Sequence, residues 1–212
     1  TQGGQFLTLN YLPAISFSLM LNFTAILVAI FGVIALREIP APIQWVGIVI
    51  FLAGALVYFY PSISLAGPPL GFLLGGLTVC ANAAASVLGR SINRLKSIPP
   101  LVVTVVSMGI GAVILLAVGL AVEGWPALSL ANWAVIAWLA LVNTAFAFTL
   151  WNQSLQVLSA MESSIINNTM LIQIALLAWL FLGEKLNALD VVGLALAAVG
   201  ILLANLKLDK RK

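Results

Sequence analysis

Of 212 residues, 63% are apolar and only 7% are charged, a balance far outside the usage of a soluble globular domain. The chain carries a formal net charge of +3, no His and a single Cys, which removes the commonest proton shuttle and metal ligand and any intrachain disulfide. A bilayer is the solvent that fits, since no charge lies between Glu38 and Arg90, between Lys96 and Glu123, or between Glu123 and Glu162.

A helix needs about 20 mostly apolar residues to cross hydrocarbon. In chain order, residues 13–36, 43–60, 68–89, 99–122, 131–153, 160–182 and 188–206 meet that requirement. The breaks between them fall at Arg37–Pro42, Pro61–Gly67, Arg90–Ile98, Glu123–Leu130, Ser154–Ser159 and Gly183–Asn187. Seven membrane-spanning helices are therefore predicted. Barrel strands are excluded, because they would alternate in polarity over about 10 residues, whereas these runs are apolar on every side.

Successive loops alternate sides of the membrane, and their basic residues are unevenly shared. One side collects Arg37, Arg90, Arg94, Lys96, Lys207, Lys210, Arg211 and Lys212, and the other has only Lys185. The positive-inside rule then places the basic loops and the C-terminus in the cytoplasm of a cell carrying the protein in its plasma membrane. Residues 207–212 read as a basic anchor beside anionic lipid.

The chain also repeats itself. Leu12, Ala14, Ser18, Asn22, Ala29, Leu36, Glu38, Gly47 and Gly54 recur, 146 positions later and without a gap, as Leu158, Ala160, Ser164, Asn168, Ala175, Leu182, Glu184, Gly193 and Gly200. An odd number of helices separates the copies, so the repeat is inverted across the membrane, as in many transporters. The second copy is preceded by three helices, 68–153, that the first copy lacks, and the chain starts at Thr1. The expectation is that roughly 80 further residues precede it in the parent protein.

The most distinctive stretch runs from Asn143 to Gly200. It holds the aromatic-rich segment Asn143–Trp151, a small and polar helix start, Leu182-Gly183-Glu184, and the paired Gly193 and Gly200, with a weaker echo in Leu36-Arg37-Glu38, Gly47 and Gly54. These features resemble the EamA-type group of the drug/metabolite transporter superfamily, with Arg37 standing where that pattern has Gly. The resemblance implies two five-helix repeats and transport of a small metabolite or drug-like solute by alternating access. On that reading residues 1–61 end the first repeat, 62–206 form the second, and 207–212 are the tail. The fold class expected is an all-α integral membrane protein with seven full spans and the end of another.

Glu162 is the only acidic residue inside a predicted span, and intramembrane charge is a functional hypothesis by default. Ser159-Ala160-Met161-Glu162 is also a capping box, in which Glu162 would fold back on the helix start; both roles stand. At 100° per residue, Glu162, Thr169 and Gln173 fall within about 40° of one another, a polar stripe suited to a wet cavity. Their repeat partners Ser16, Phe23 and Leu27 do not continue it, so the stripe is a candidate solute surface. Asn82, Asn143 and Asn167 are further candidates because polar groups at membrane depth need partners. The matched pair Asn22 and Asn168 is expected to make structural hydrogen bonds between helices. Trp138 and Phe146 suit either packing or an aromatic-lined cavity, whereas Trp45, Trp133, Trp151, Trp179, Tyr58 and Tyr60 fit the interfacial belt.

Gly193, Ala197, Gly200 and Ala204 form a small-residue ridge, as do Gly71 and Gly75, and such faces are candidates for close helix packing or a homodimer. Cys80 is expected to be a buried small hydrophobe. Glu38 and Glu184 follow helix ends, where a carboxylate is disfavoured, and are expected to act locally in tight turns. No cofactor, metal or nucleic-acid partner is expected; the partners are a small solute and lipid. A membrane enzyme would lack in-span Asp, Lys and His. A non-transporting receptor or scaffold is the main alternative.

Overall fold

The computed structural model describes residues 2–62, 67–125, 128–182 and 186–206, so Glu184, Lys185 and the basic tail 207–212 lie outside the described residues. The described chain is helical throughout: α1 (Gln2–Leu9), α2 (Ala14–Asn22), α3 (Thr24–Phe31), α4 (Pro42–Phe59), α5 (Pro69–Asn93), α6 (Pro100–Glu123), α7 (Leu130–Trp138), α8 (Ala147–Ser154), α9 (Ala160–Asn167), α10 (Met170–Leu182) and α11 (Ala188–Asn205). A π-helical turn, Gly32–Leu36, extends α3, and a longer one, Leu139–Phe146, joins α7 to α8. Among the described residues, seven stretches are long and apolar enough to cross a membrane: Ala14–Leu36, Pro42–Ser62, Pro69–Asn93, Pro100–Val122, Leu130–Ser154, Ala160–Phe181 and Ala188–Asn205. The protein is thus an all-α multi-pass membrane protein.

Helix starts follow from local chemistry. Pro42, Pro69 and Pro100 occupy first helical positions, where the missing amide N–H costs nothing. Ser129 Oγ accepts from the Asn132 amide at the head of α7, and Asp190 accepts from the Asn187 amide at the head of α11. Helix α5 overruns its expected end at residue 89 by one turn. Arg90 does not stop it, because the guanidinium reaches the Leu155 carbonyl at 2.7 Å and so finds a partner without leaving the helix.

The chain forms two compact units, residues 1–87 with 159–212, and residues 88–158. In the first, the dominant packing is α4 against α11. Its seam has no side chains where the backbones meet. A Cβ added at Gly47 would lie 2.7 Å from the Gly200 carbonyl oxygen, at Gly54 2.7 Å from that of Gly193, at Gly193 2.8 Å from that of Gly54, and at Gly200 2.7 Å from that of Gly47. Residue numbers fall along one helix as they rise along the other, so the two run antiparallel. Gly47 and Gly54 are also the repeat partners of Gly193 and Gly200. Antiparallel neighbours that are copies of one another are related by a two-fold axis across them, and the inverted repeat is therefore built into this seam.

Around the seam lie Ala25, Ala29, Ile48, Phe51, Met161, Ile165, Ala197, Ile201 and Ala204, drawn from α3, α4, α9 and α11 and all buried. Outward side chains such as Val49, Leu56, Val199 and Leu202 are apolar too, as a lipid-facing surface requires. Cys80 is on such an outward face and is exposed, not buried as expected. Hydropathy does not separate the two fates in a membrane helix, because lipid and core are equally apolar.

Both small-residue ridges are used inside the chain. Gly193, Ala197, Gly200 and Ala204 are buried on the α4 seam, while a Cβ at Gly71 would lie 2.9 Å from Tyr11 and one at Gly75 2.8 Å from Met20. In the second unit, α6 packs on α8, and the outer lengths of α6 and α7 are exposed.

The seam makes a sharp prediction. Gly54→Ala and Gly200→Ala each force a backbone shift and should cost about 1–3 kcal/mol, seen as a lower Tm in detergent. Gly109→Ala meets nothing within 4 Å and should leave the Tm unchanged or raise it, since Ala is the better helix former.

Candidate functional site

The two interrupted spans of the first unit carry most of the polar groups predicted to matter. The span from residue 160 starts with the capping box read from the sequence: Glu162 Oε2 accepts from the Ser159 amide at 2.9 Å, and Ser159 Oγ accepts from the Glu162 amide at 3.2 Å. Glu162 is buried. The next amide, that of Ala160, donates to Glu38 Oε2 at 3.1 Å. Glu38 was expected to act locally in its turn, and the structure corrects this: it reaches 122 residues along the chain to the start of α9.

The turn before Glu38 explains the reach. Arg37 adopts a left-handed conformation, φ 57° and ψ 27°, at the end of the π turn, and the Glu38 amide closes that turn on the Gly32 carbonyl. This is the helix-ending geometry that Gly takes at least cost, so Arg37 fills a glycine position in a glycine's conformation. Glu38, Pro40, Gln44, Ser159 and Glu162 together line a cavity of about 180 Å³. It holds two carboxylates and one amide side chain.

Midway along each span the helix is interrupted. Helix α2 ends at Asn22 with Phe23 at φ −69°, ψ −11°, and α9 ends at Asn167 with Asn168 at φ −71°, ψ −8°. The two interruptions lie within one residue of equivalence in the repeat. Beyond the second, Thr169 Oγ1 donates to the Ile166 carbonyl at 2.7 Å and receives Gln173 Nε2 at 3.1 Å. The structure brings Thr169 and Gln173 together one turn apart. Glu162 lies at the far end of the preceding segment, across the break.

Asn22 and Asn168 do not bridge helices as expected. Asn22 Nδ2 donates at 2.8 Å to the Ser18 carbonyl of its own helix, the nearest acceptor one turn back. Asn168 Nδ2 is buried with no hydrogen-bond partner among the described residues, as is Ser163 Oγ. Asn167 is exposed, and Asn82 is half-buried on α5. Asn143 belongs to the other unit, exposed on the π segment Leu139–Phe146, a kind of irregularity often found at functional positions.

Sequence reading missed a buried network in the second unit. Asn93 Nδ2 donates to Asn152 Oδ1 at 2.8 Å, and Asn152 Nδ2 to Thr104 Oγ1 at 3.0 Å, with Thr149 Oγ1 3.5 Å from Thr104. It ties together the end of α5, the start of α6 and the end of α8. The available signal was positional: Asn93, Thr104 and Asn152 lie at span ends that the loop order brings to one side of the membrane. Among the described residues, no three His, Cys, Asp or Glu residues are grouped to hold a metal ion.

Apolar spans, a two-fold seam between repeat-related helices and paired interruptions at membrane depth are the marks of an inverted-repeat membrane transporter. The model of the EamA-like transporter family matches residues 69–206, and the chain belongs to that family. It is 28% identical over 215 residues to the uncharacterized transporter YyaM of Bacillus subtilis (strain 168), covering 94% of this chain and 67% of that protein. A solved crystal structure shares the fold with a TM-score of 0.73 at 19% identity, covering 96% of this chain and 72% of the other.

Two stability effects follow from these contacts. Asn152→Leu removes the hydrogen bonds that Asn152 makes to buried Asn93 and Thr104, which keep the Gly89 and Pro100 carbonyls, and should cost about 1 kcal/mol, whereas Asn143→Leu, at an exposed position, should cost far less; thermal unfolding in detergent separates them. Arg37→Gly removes the left-handed penalty of a side chain and should raise stability by about 1 kcal/mol, measured in the same way.

Proposed function

We propose that this protein carries a small metabolite or drug-like solute across the plasma membrane by alternating access. The observation that carries the reading is the pair of equivalent interruptions, at Asn22–Thr24 and at Asn168–Thr169, in spans related by the repeat. An interrupted helix can offer hydrogen-bonding groups in a largely apolar region, and transporters place their solute sites at such points.

The proposed solute-binding groups are Thr169, Gln173 and Asn167 beside the second interruption, with Asn168 supplying a buried amide that has no partner among the described residues. Glu162, Asn82 and Asn143 are the other proposed contacts, with Glu162 also suited to carry a coupling proton. Residues 1–61 and 62–206 are assigned to the two repeats, and the basic loops with the tail 207–212 to the cytoplasm. The reading invokes binding and movement alone, without a cofactor or a covalent step.

Reconstitution of the protein in sealed liposomes tests this. A screen of amino acids, nucleobases, sugars and organic cations, with and without a proton gradient, should find a solute whose flux falls at least about tenfold in the Glu162→Leu, Gln173→Met double variant, the loss expected when polar contacts worth about 1.4 kcal/mol or more go. Flux of none of these classes in the folded protein would favour a non-transporting scaffold.

A further inference from the structure

The α4/α11 seam is fixed by direct backbone contact, and its rigidity extends to the linker ahead of α4. Gln44 Oε1 accepts from the Ala41 amide at 2.8 Å, and Gln44 Nε2 donates to the Ala204 carbonyl of α11 at 3.1 Å. Pro40 is buried and Pro42 opens α4, so residues 37–41 have little freedom. Glu38 projects from this stiff linker.

What Glu38 holds is, by contrast, a short helical segment. Helix α9 has eight residues and is cut from α10 at Asn168–Thr169. Its first two amides go to two carboxylates on different elements: the Ser159 amide to Glu162 of its own helix, and the Ala160 amide to Glu38. Ser163, one residue past Glu162, is 1% exposed with its Oγ unpartnered among the described residues. An unmet hydroxyl in an apolar surrounding is a standing cost that water relieves.

We propose that Glu38 is a latch and a positioning residue: it pins the start of α9 to the fixed α4/α11 pair, and its release lets α9 swing about Asn168–Thr169 and admit water to the face bearing Ser163. The latch also allows Glu162 to leave its capping box for a solute without stripping the helix of every acceptor, because Glu38 retains the neighbouring amide. The inference deepens the transport reading above and rests on it, but its test needs no solute.

In full-length protein carrying Cys80→Ser, a reporter cysteine is placed by Ser163→Cys and, separately, by Ile48→Cys in the seam, where Ile48 is 0% exposed. Reaction with a charged, membrane-impermeant maleimide is followed in liposomes. Glu38→Ala should speed labelling at position 163 by about tenfold, the effect of losing one charge-assisted hydrogen bond, with labelling at position 48 unchanged. Glu38→Gln still offers an oxygen to the Ala160 amide and should remain closer to the parent. Should Glu38→Ala fail to fold, Glu38→Asp, which withdraws the acceptor by one methylene, should give the same pattern at smaller amplitude. Unchanged labelling at 163, or a parallel rise at 48 and 163, would overturn the latch, the second by marking Glu38 as a general support of the fold. A transport screen that finds no solute leaves this readout standing, so the two failures are distinguishable.

Discussion

The close approach of α4 and α11 is the constraint on which the rest depends. Lipid gives no hydrophobic drive for two apolar helices to associate, so their packing has to come from dispersion over surfaces that fit. Gly47, Gly54, Gly193 and Gly200 provide that fit by letting backbone meet backbone. Because the four residues are two repeat pairs, a single geometry is used twice, and each contact reinforces the other across the two-fold axis. Phe51 and Ile48 then fill the flanks, together with Met161 and Ile165 of α9.

From this close-packed pair the polar groups are set out at increasing distance. Gln44 extends the rigid region to the linker, the left-handed turn at Arg37 aims Glu38, and Glu38 holds the head of α9. Past Asn168, Thr169 with Gln173 forms a further polar cluster. The stiff part of the unit is apolar and glycine-lined, whereas the interrupted helices carry the hydrogen-bonding groups. That division suits a protein whose proposed work is to rearrange polar surfaces inside hydrocarbon.

Much of this was legible in the sequence. The bilayer demands long apolar runs, so the seven spans could be read directly, most sharply where Pro42, Pro69 and Pro100 punctuate them. The repeat was legible because Asn, Glu and Gly recur in one register. What escaped reading depended on partners distant in sequence or on helix shape. The end of α5 slipped because Arg90 found the Leu155 carbonyl; Glu38 was read as local because nothing in its neighbourhood names Ala160. The Asn93–Asn152–Thr104 network needs three helix ends at once. Cys80 was misplaced because exposure on an outward face leaves no mark on hydropathy.

The α4/α11 seam joins repeat-related helices in opposite orientation. This inversion is tested most directly by the sidedness of two loops that the repeat makes equivalent. In a Cys80→Ser background, Ile39→Cys and Asn187→Cys, both at exposed positions, are labelled from either face of an oriented membrane with an impermeant maleimide. The two should react from opposite sides, position 39 from the cytoplasm. Reaction of both from the same side would contradict the inversion.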